Sequence, residues 1–114
     1  MFKEQAKCTC EYKDDTLYAK IEGEIDHHVA KPIREKIDEK MLECRPLTLR
    51  LDLSAVGFMD SSGLGLLLGR LAAAEQLGST LKLINVGERI KKILHLAGAS
   101  RMTNLIIEHM YEEA

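Results

Sequence analysis

Leu47-Thr48-Leu49-Arg50-Leu51-Asp52-Leu53-Ser54 leads, after two further residues, to Gly57-Phe58-Met59-Asp60-Ser61-Ser62-Gly63-Leu64-Gly65. In the first stretch four leucines alternate with polar residues, a period of two that predicts a strand with one apolar face. In the second, a helix is expected to begin at the serines after Asp60, whose short side chains cap free N–H groups ahead of a leucine-rich run. A strand feeding a helix through an acid-hydroxyl-glycine turn is the unit from which the rest of the chain is read.

Working outward, Ala6, Cys8, Cys10 and Tyr12 occupy every second position, which predicts a strand over 6–12. Asp14-Asp15 supplies a turn into a second strand carrying Leu17, Ala19 and Ile21. Gly23-Glu24-Ile25-Asp26 is expected to break that strand, with Asp26 as N-cap of an amphipathic helix through Val29, Ile33, Ile37 and Met41 to about Cys44. Pro32 belongs in a first turn, so that helix is expected to start somewhat after Asp26 or to open with a distorted turn. The helix from Ser61 runs to about Leu77 and is closed by Gly78, and a strand follows through Leu81, Leu83 and Ile84. Ile90, Ile93, Leu94 and Ala97 mark a further helix stopped by Gly98. In the tail, either Met102-Thr103-Asn104 or Leu105-Ile106-Ile107 supplies a last strand, with a short helix from the remainder. Strands alternating with helices imply parallel pairing through right-handed crossovers, and alternation within the strands leaves one sheet face partly wet. The expectation is α/β: a mixed, mostly parallel sheet of four to five strands with three to four helices and an N-terminal β-hairpin, one domain over residues 1–114.

With 114 residues, 30% of them charged and a net charge of −2, the chain has no basic block of the kind nucleic acid requires. Residues 1–7 lack the apolar stretch of a secretory signal and no apolar run approaches membrane-spanning length, so a soluble cytoplasmic protein is expected. Cys8, Cys10 and Cys44 are an odd number without an export signal, which argues for reduced, structural thiols and against a disulfide framework or a zinc site.

Catalysis finds little support. Ser61 has no Gly-x-Ser-x-Gly elbow and no recognisable base, His27 and His28 diverge on a helix, and His95 and His109 fall in outer positions. No Gly-x-x-x-x-Gly-Lys loop is present, and no cofactor is called for. On the helix after Ser61, Leu64, Leu67, Leu68, Leu71 and Ala74 form the expected core stripe. The opposite side is small and apolar, with Ser62, Gly65, Leu66, Gly69, Ala73 and Leu77 flanked by Arg70. It is either a partner surface or a face covered by a neighbouring element. Ser61 itself reads either as an ordinary N-cap or as a phosphate acceptor, a charge the positive helix end tolerates.

Gly23-Glu24-Ile25-Asp26-His27-His28 together with Phe58-Met59-Asp60-Ser61-Ser62-Gly63-Leu64-Gly65 and Leu68-Gly69-Arg70 resembles the anti-sigma factor antagonists of the STAS (sulfate transporter and anti-sigma antagonist) family, most of all the sporulation (forespore sigma factor) antagonists. The resemblance covers about residues 8 to 100. It implies a non-enzymatic partner switch. The unmodified antagonist binds an anti-sigma factor that is also a serine kinase and makes it release the sigma factor. The kinase then phosphorylates Ser61 and the complex parts, and a protein serine phosphatase restores the antagonist. By the same resemblance Asp60, Ser62 and Gly63 surround the phosphorylated residue and Glu24 with Asp26 forms an acidic docking patch; Gly65, Leu66 and Gly69, on the small apolar face of the helix, are the candidate extension of that partner surface. Two other readings compete: a STAS subunit of a multi-protein or membrane-associated assembly, and a small nucleotide- or anion-binding module.

Overall fold

A computed structural model describes residues 6–110, without the side chain of Ser100. Five strands and three helices follow one another as β1 (Lys7–Lys13), β2 (Thr16–Ile25), α1 (His27–Cys44), β3 (Thr48–Met59), α2 (Ser61–Gln76), β4 (Thr80–Ile84), α3 (Glu88–Leu96) and β5 (Leu105–Glu108). The sheet order is β1-β2-β3-β4-β5, with β1 antiparallel to β2 and all later pairs parallel. Because the order runs one way across the sheet, crossovers of a single hand put every helix on the same face. Leu17, Ala19 and Ile21 of β2, Leu49, Leu51 and Leu53 of β3, and Leu81 and Leu83 of β4 meet Ile33, Ile37 and Met41 of α1 and Leu67, Leu71 and Ala74 of α2 in one core. The other face stays wet and carries Tyr18, Lys20, Arg50, Asp52 and Lys82. The expected one-sided architecture is therefore the observed one.

The hairpin turns on Asp14 and Asp15, both at positive φ (51° and 61°) between the paired residues Lys13 and Thr16, the two-residue turn whose twist matches the flanking strands. Several boundaries differ from expectation. Gly23 does not end β2: it adopts φ +103°, and an added Cβ would lie 3.1 Å from the Ala6 Cα, so a glycine lets the strand pass that point and continue to Ile25. Pro32 is the sixth residue of α1, beyond the first turn, and sits on its exposed side. Its missing N–H would have served the His28 carbonyl. Leu47 falls outside β3 and is 66% exposed. In the tail Leu105–Glu108 forms the last strand, parallel to β4, while Ala99–Arg101 makes a single 3₁₀ turn before it. A helix after the last strand would lie largely outside the described residues. Among those described, no helix is long and apolar enough to cross a membrane.

The longest departure decides where the candidate site sits. β3 runs to Met59, and its register against β2 slips twice: Lys20 pairs with Asp52 but Glu22 with Ala55, and Gly23 pairs with Val56 but Glu24 with Phe58. Each slip inserts one extra residue into β3. One extra residue would turn the strand's apolar set outward, whereas two restore the alternation. Met59 therefore returns to the core opposite Ile25, and the next residue of each strand, Asp60 and Asp26, starts a helix at the same sheet edge.

Candidate functional site

Two helix N-termini stand side by side at the carboxyl ends of β2 and β3, each capped by an aspartate. Asp26 Oδ1 accepts from the N–H groups of His28 (2.9 Å) and Val29 (3.2 Å). Asp60 Oδ1 accepts from Ser62 (2.8 Å) and Gly63 (3.4 Å). The Asp60 N–H donates to the Ile25 carbonyl at 3.2 Å, which ties the two turns together. Partial desolvation pulls the Asp26 carboxyl upward, but the two backbone N–H groups and the charges of His28 and His27 outweigh it and hold the group below its usual range.

The two serines of the turn are not equivalent. Ser61, the first residue of α2, is exposed at the edge. Ser62 is half-buried and lines a groove between α1 and α2 with His27, Lys31, Arg34, Gly65 and Leu66. Glu24 is exposed and pairs across the sheet with Phe58, so Glu24, Asp26, Asp60 and Ser61 share one edge. Gly65 lies one helical turn further along α2, exposed. Gly69 lies eight residues from Ser61, about 12 Å along the axis, and is not brought to that edge.

Two of the expected surface residues are interior. Leu66 is 4% exposed, and Gly63 is buried with no room for a side chain: an added Cβ would come 2.1 Å from Met59 Cγ and 3.3 Å from Ile25 Cγ2. The reason is that α2 is buried from two directions, by the sheet beneath it and by α1 beside it. The small apolar strip is therefore largely a helix–helix seam, and Leu64 and Leu68, expected in the core, are only half-buried. Arg70 enters the seam, where its guanidinium donates to the Asp38 carboxylate and to the Arg34 carbonyl at 3.2 Å.

Sequence reasoning did not single out Phe58 as a surface residue. It is 54% exposed beside the acidic edge, a large apolar side chain in a place where burial would be expected. The sequence signal was its position in the segment between the regular alternation of β3 and the turn. His27 and His28 were expected to diverge, yet their rings lie 3.9 Å apart between centroids, tilted by 38°.

The STAS domain family matches residues 9–113 of the chain. The chain belongs to the STAS domain family. Among curated STAS relatives, the anti-sigma F factor antagonist of Lysinibacillus sphaericus is 33% identical over 84 residues, 74% of this chain and 72% of that protein. The anti-sigma-B factor antagonist of Bacillus subtilis (strain 168) is 34% identical over 85 residues, 75% and 76% of the two chains. Among solved structures, the anti-sigma factor antagonist SpoIIAA in its unphosphorylated form superposes with a TM-score of 0.75 at 25% identity, covering 92% of this chain and 90% of that one. The Bacillus cell fate determinant SpoIIAA in the phosphorylated form gives 0.75 at 27% identity, covering 93% of each. This STAS domain thus has the five-stranded mixed sheet and three helices of that fold, with the Asp-Ser-Ser-Gly turn at its carboxyl edge.

Proposed function

We propose that the chain is an anti-sigma factor antagonist, a regulatory binding protein whose Ser61 is the toggle of a partner switch. Unphosphorylated, it binds an anti-sigma factor that is also a serine kinase and displaces the sigma factor. Phosphorylated on Ser61, it is released, and a protein serine phosphatase restores it. The segment Gly23-Glu24-Ile25-Asp26-His27-His28 favours the sporulation class of antagonist.

The observation that carries this reading is the placement of Ser61. It is the exposed first residue of α2, on the same edge as Glu24, Asp26 and Asp60. An acidic edge complements a basic surface on the kinase, and exposed Phe58 beside it supplies an apolar anchor. A phosphoryl group at Ser61 adds about −1.5 to −2 charges and three bulky oxygens. The α2 N-terminus favours that charge, so the fold tolerates it. The docked partner has no such compensation, and the existence of SpoIIAA structures in both forms agrees with a fold that survives modification.

The test uses the purified chain, its cognate anti-sigma kinase and magnesium ATP. Ser61→Ala is expected to bind the kinase and accept no phosphate, and Ser61→Asp to bind far more weakly. Equal, tight binding by both variants, or phosphate found on Ser62 instead, would refute the assignment.

A further inference from the structure

β1 is an edge of the sheet, and its residues Cys8 and Cys10, two apart, face the same side. Their Sγ atoms lie 4.0 Å apart, both thiols are free, and the two differ in access: Cys8 is buried in the core while Cys10 is half-buried. Helix α1 crosses them. Its Lys36 ammonium donates to the Cys8 backbone carbonyl at 2.5 Å.

We propose that Cys8 and Cys10 form a dithiol modification site, at which Cys10 attacks a low-molecular-weight disulfide and Cys8 resolves the product. The hydrogen bond from Cys8 and the positive charges of Lys36 and Lys40 hold the Cys10 thiol down to about 7, against the upward pull of burial, whereas the same hydrogen bond and burial push Cys8 up. The accessible sulfur is thus the nucleophile and the buried one keeps its proton.

In the first step the Cys10 thiolate bonds to one sulfur of the disulfide and expels the other half as a thiolate. In the second, Cys8 gives its proton to that leaving thiolate and attacks the Cys10 sulfur, which closes a Cys8–Cys10 bond and expels the remaining half as a thiolate that takes back from water the proton Cys10 had released. The chain loses two electrons and the small disulfide becomes two thiols. Same-face residues on a strand stand about 6.7 Å apart at Cα, near the upper limit a disulfide spans. Closure therefore draws in the strand, which an edge bonded on one side allows, and gives a readily reduced bridge.

The experiment exposes the reduced chain carrying Cys44→Ser to oxidised glutathione near neutral pH and follows intact mass and peptide maps. The expected end product is a chain lighter by two hydrogen atoms, bridged between Cys8 and Cys10 and reopened by a thiol reductant. With Cys8→Ser added, the glutathione adduct on Cys10 accumulates and persists. On the unaltered chain, where folding is not in question, limiting iodoacetamide at pH 7 is expected to label Cys10 before Cys8. Labelling of Cys8 before Cys10, or a mixed adduct that never closes in the chain with both thiols, would overturn the proposal.

Discussion

Replacing Gly63 by alanine puts a methyl group where Met59 already is. The new Cβ would sit 2.1 Å from Met59 Cγ, 3.0 Å from its Sδ and 3.3 Å from Ile25 Cγ2. The clash falls on the middle of a buried side chain held against the end of β2, so overpacking should cost near the top of its usual range, about 3 kcal/mol. Alanine in a helix returns about 1 kcal/mol relative to glycine. The net expectation is a loss of about 2 kcal/mol. For 114 residues, unfolding entropy makes 1 kcal/mol worth about 4 °C, so Tm should fall by about 8 °C. Gly65→Ala is the control. No heavy atom lies within 4 Å of its added Cβ, so only the helix term acts and Tm should rise by about 2–4 °C. Thermal and urea unfolding followed by far-ultraviolet circular dichroism measure both. Met59→Ala in the Gly63→Ala chain should cost at least about 1 kcal/mol less than in the wild type, because the two side chains compete for one volume. A Gly63→Ala chain as stable as Gly65→Ala, or additive with Met59→Ala, would refute the packing argument.

Asp38→Ala strands the Arg70 guanidinium, 7% exposed, without its carboxylate and should cost about 2–4 kcal/mol. Arg70→Met refills the seam and leaves Asp38, 38% exposed, to water, so its cost should stay within about 1 kcal/mol; urea titration gives the order. Asp26→Ala should destabilise the chain at neutral pH, with the gap to wild type narrowing below about pH 4. The folded-state value of Asp26 lies below the unfolded one, so its contribution is present above the unfolded value and is lost as pH falls through the folded one; unfolding at pH 7 and pH 3 tests this. Phe58→Ala removes an exposed ring, so stability should change by no more than about 0.5 kcal/mol. Titration calorimetry against the anti-sigma partner should show binding at least about tenfold weaker.

Element types were legible because the apolar periods are clean: Leu49, Leu51 and Leu53 at every second residue, and Ile33, Ile37 and Met41 at every fourth. What the pattern hid were places where tertiary contacts overrule local chemistry. Gly23 and Gly57 look like breaks, yet the chain stays in a strand through both: Gly23 is paired and takes a positive φ, and Gly57 is the extra residue that a bulge absorbs. The burial of Leu66 and Arg70 depends on α1 lying beside α2, a relation between segments that no period within α2 encodes. In the candidate site, the Asp26 cap was readable from residue type and position, whereas the cap of α2, expected at the serines, falls one residue earlier on Asp60. The difference between exposed Ser61 and half-buried Ser62 was not readable, since Ser62 lines the groove against α1, a neighbour that the local sequence does not encode.

In the proposed switch, one phosphate on Ser61 changes binding and leaves the fold intact. The direct measurement takes one preparation, phosphorylates half of it with the anti-sigma kinase, verifies the site by mass spectrometry, and determines Tm and Kd for both halves. The expected result is Tm values within about 4 °C, equivalent to about 1 kcal/mol, and a Kd at least about a hundredfold weaker for the phosphorylated chain, equivalent to about 2.8 kcal/mol. A phosphorylated chain that binds as tightly as the unmodified one, or that loses affinity only because it has unfolded, would contradict it.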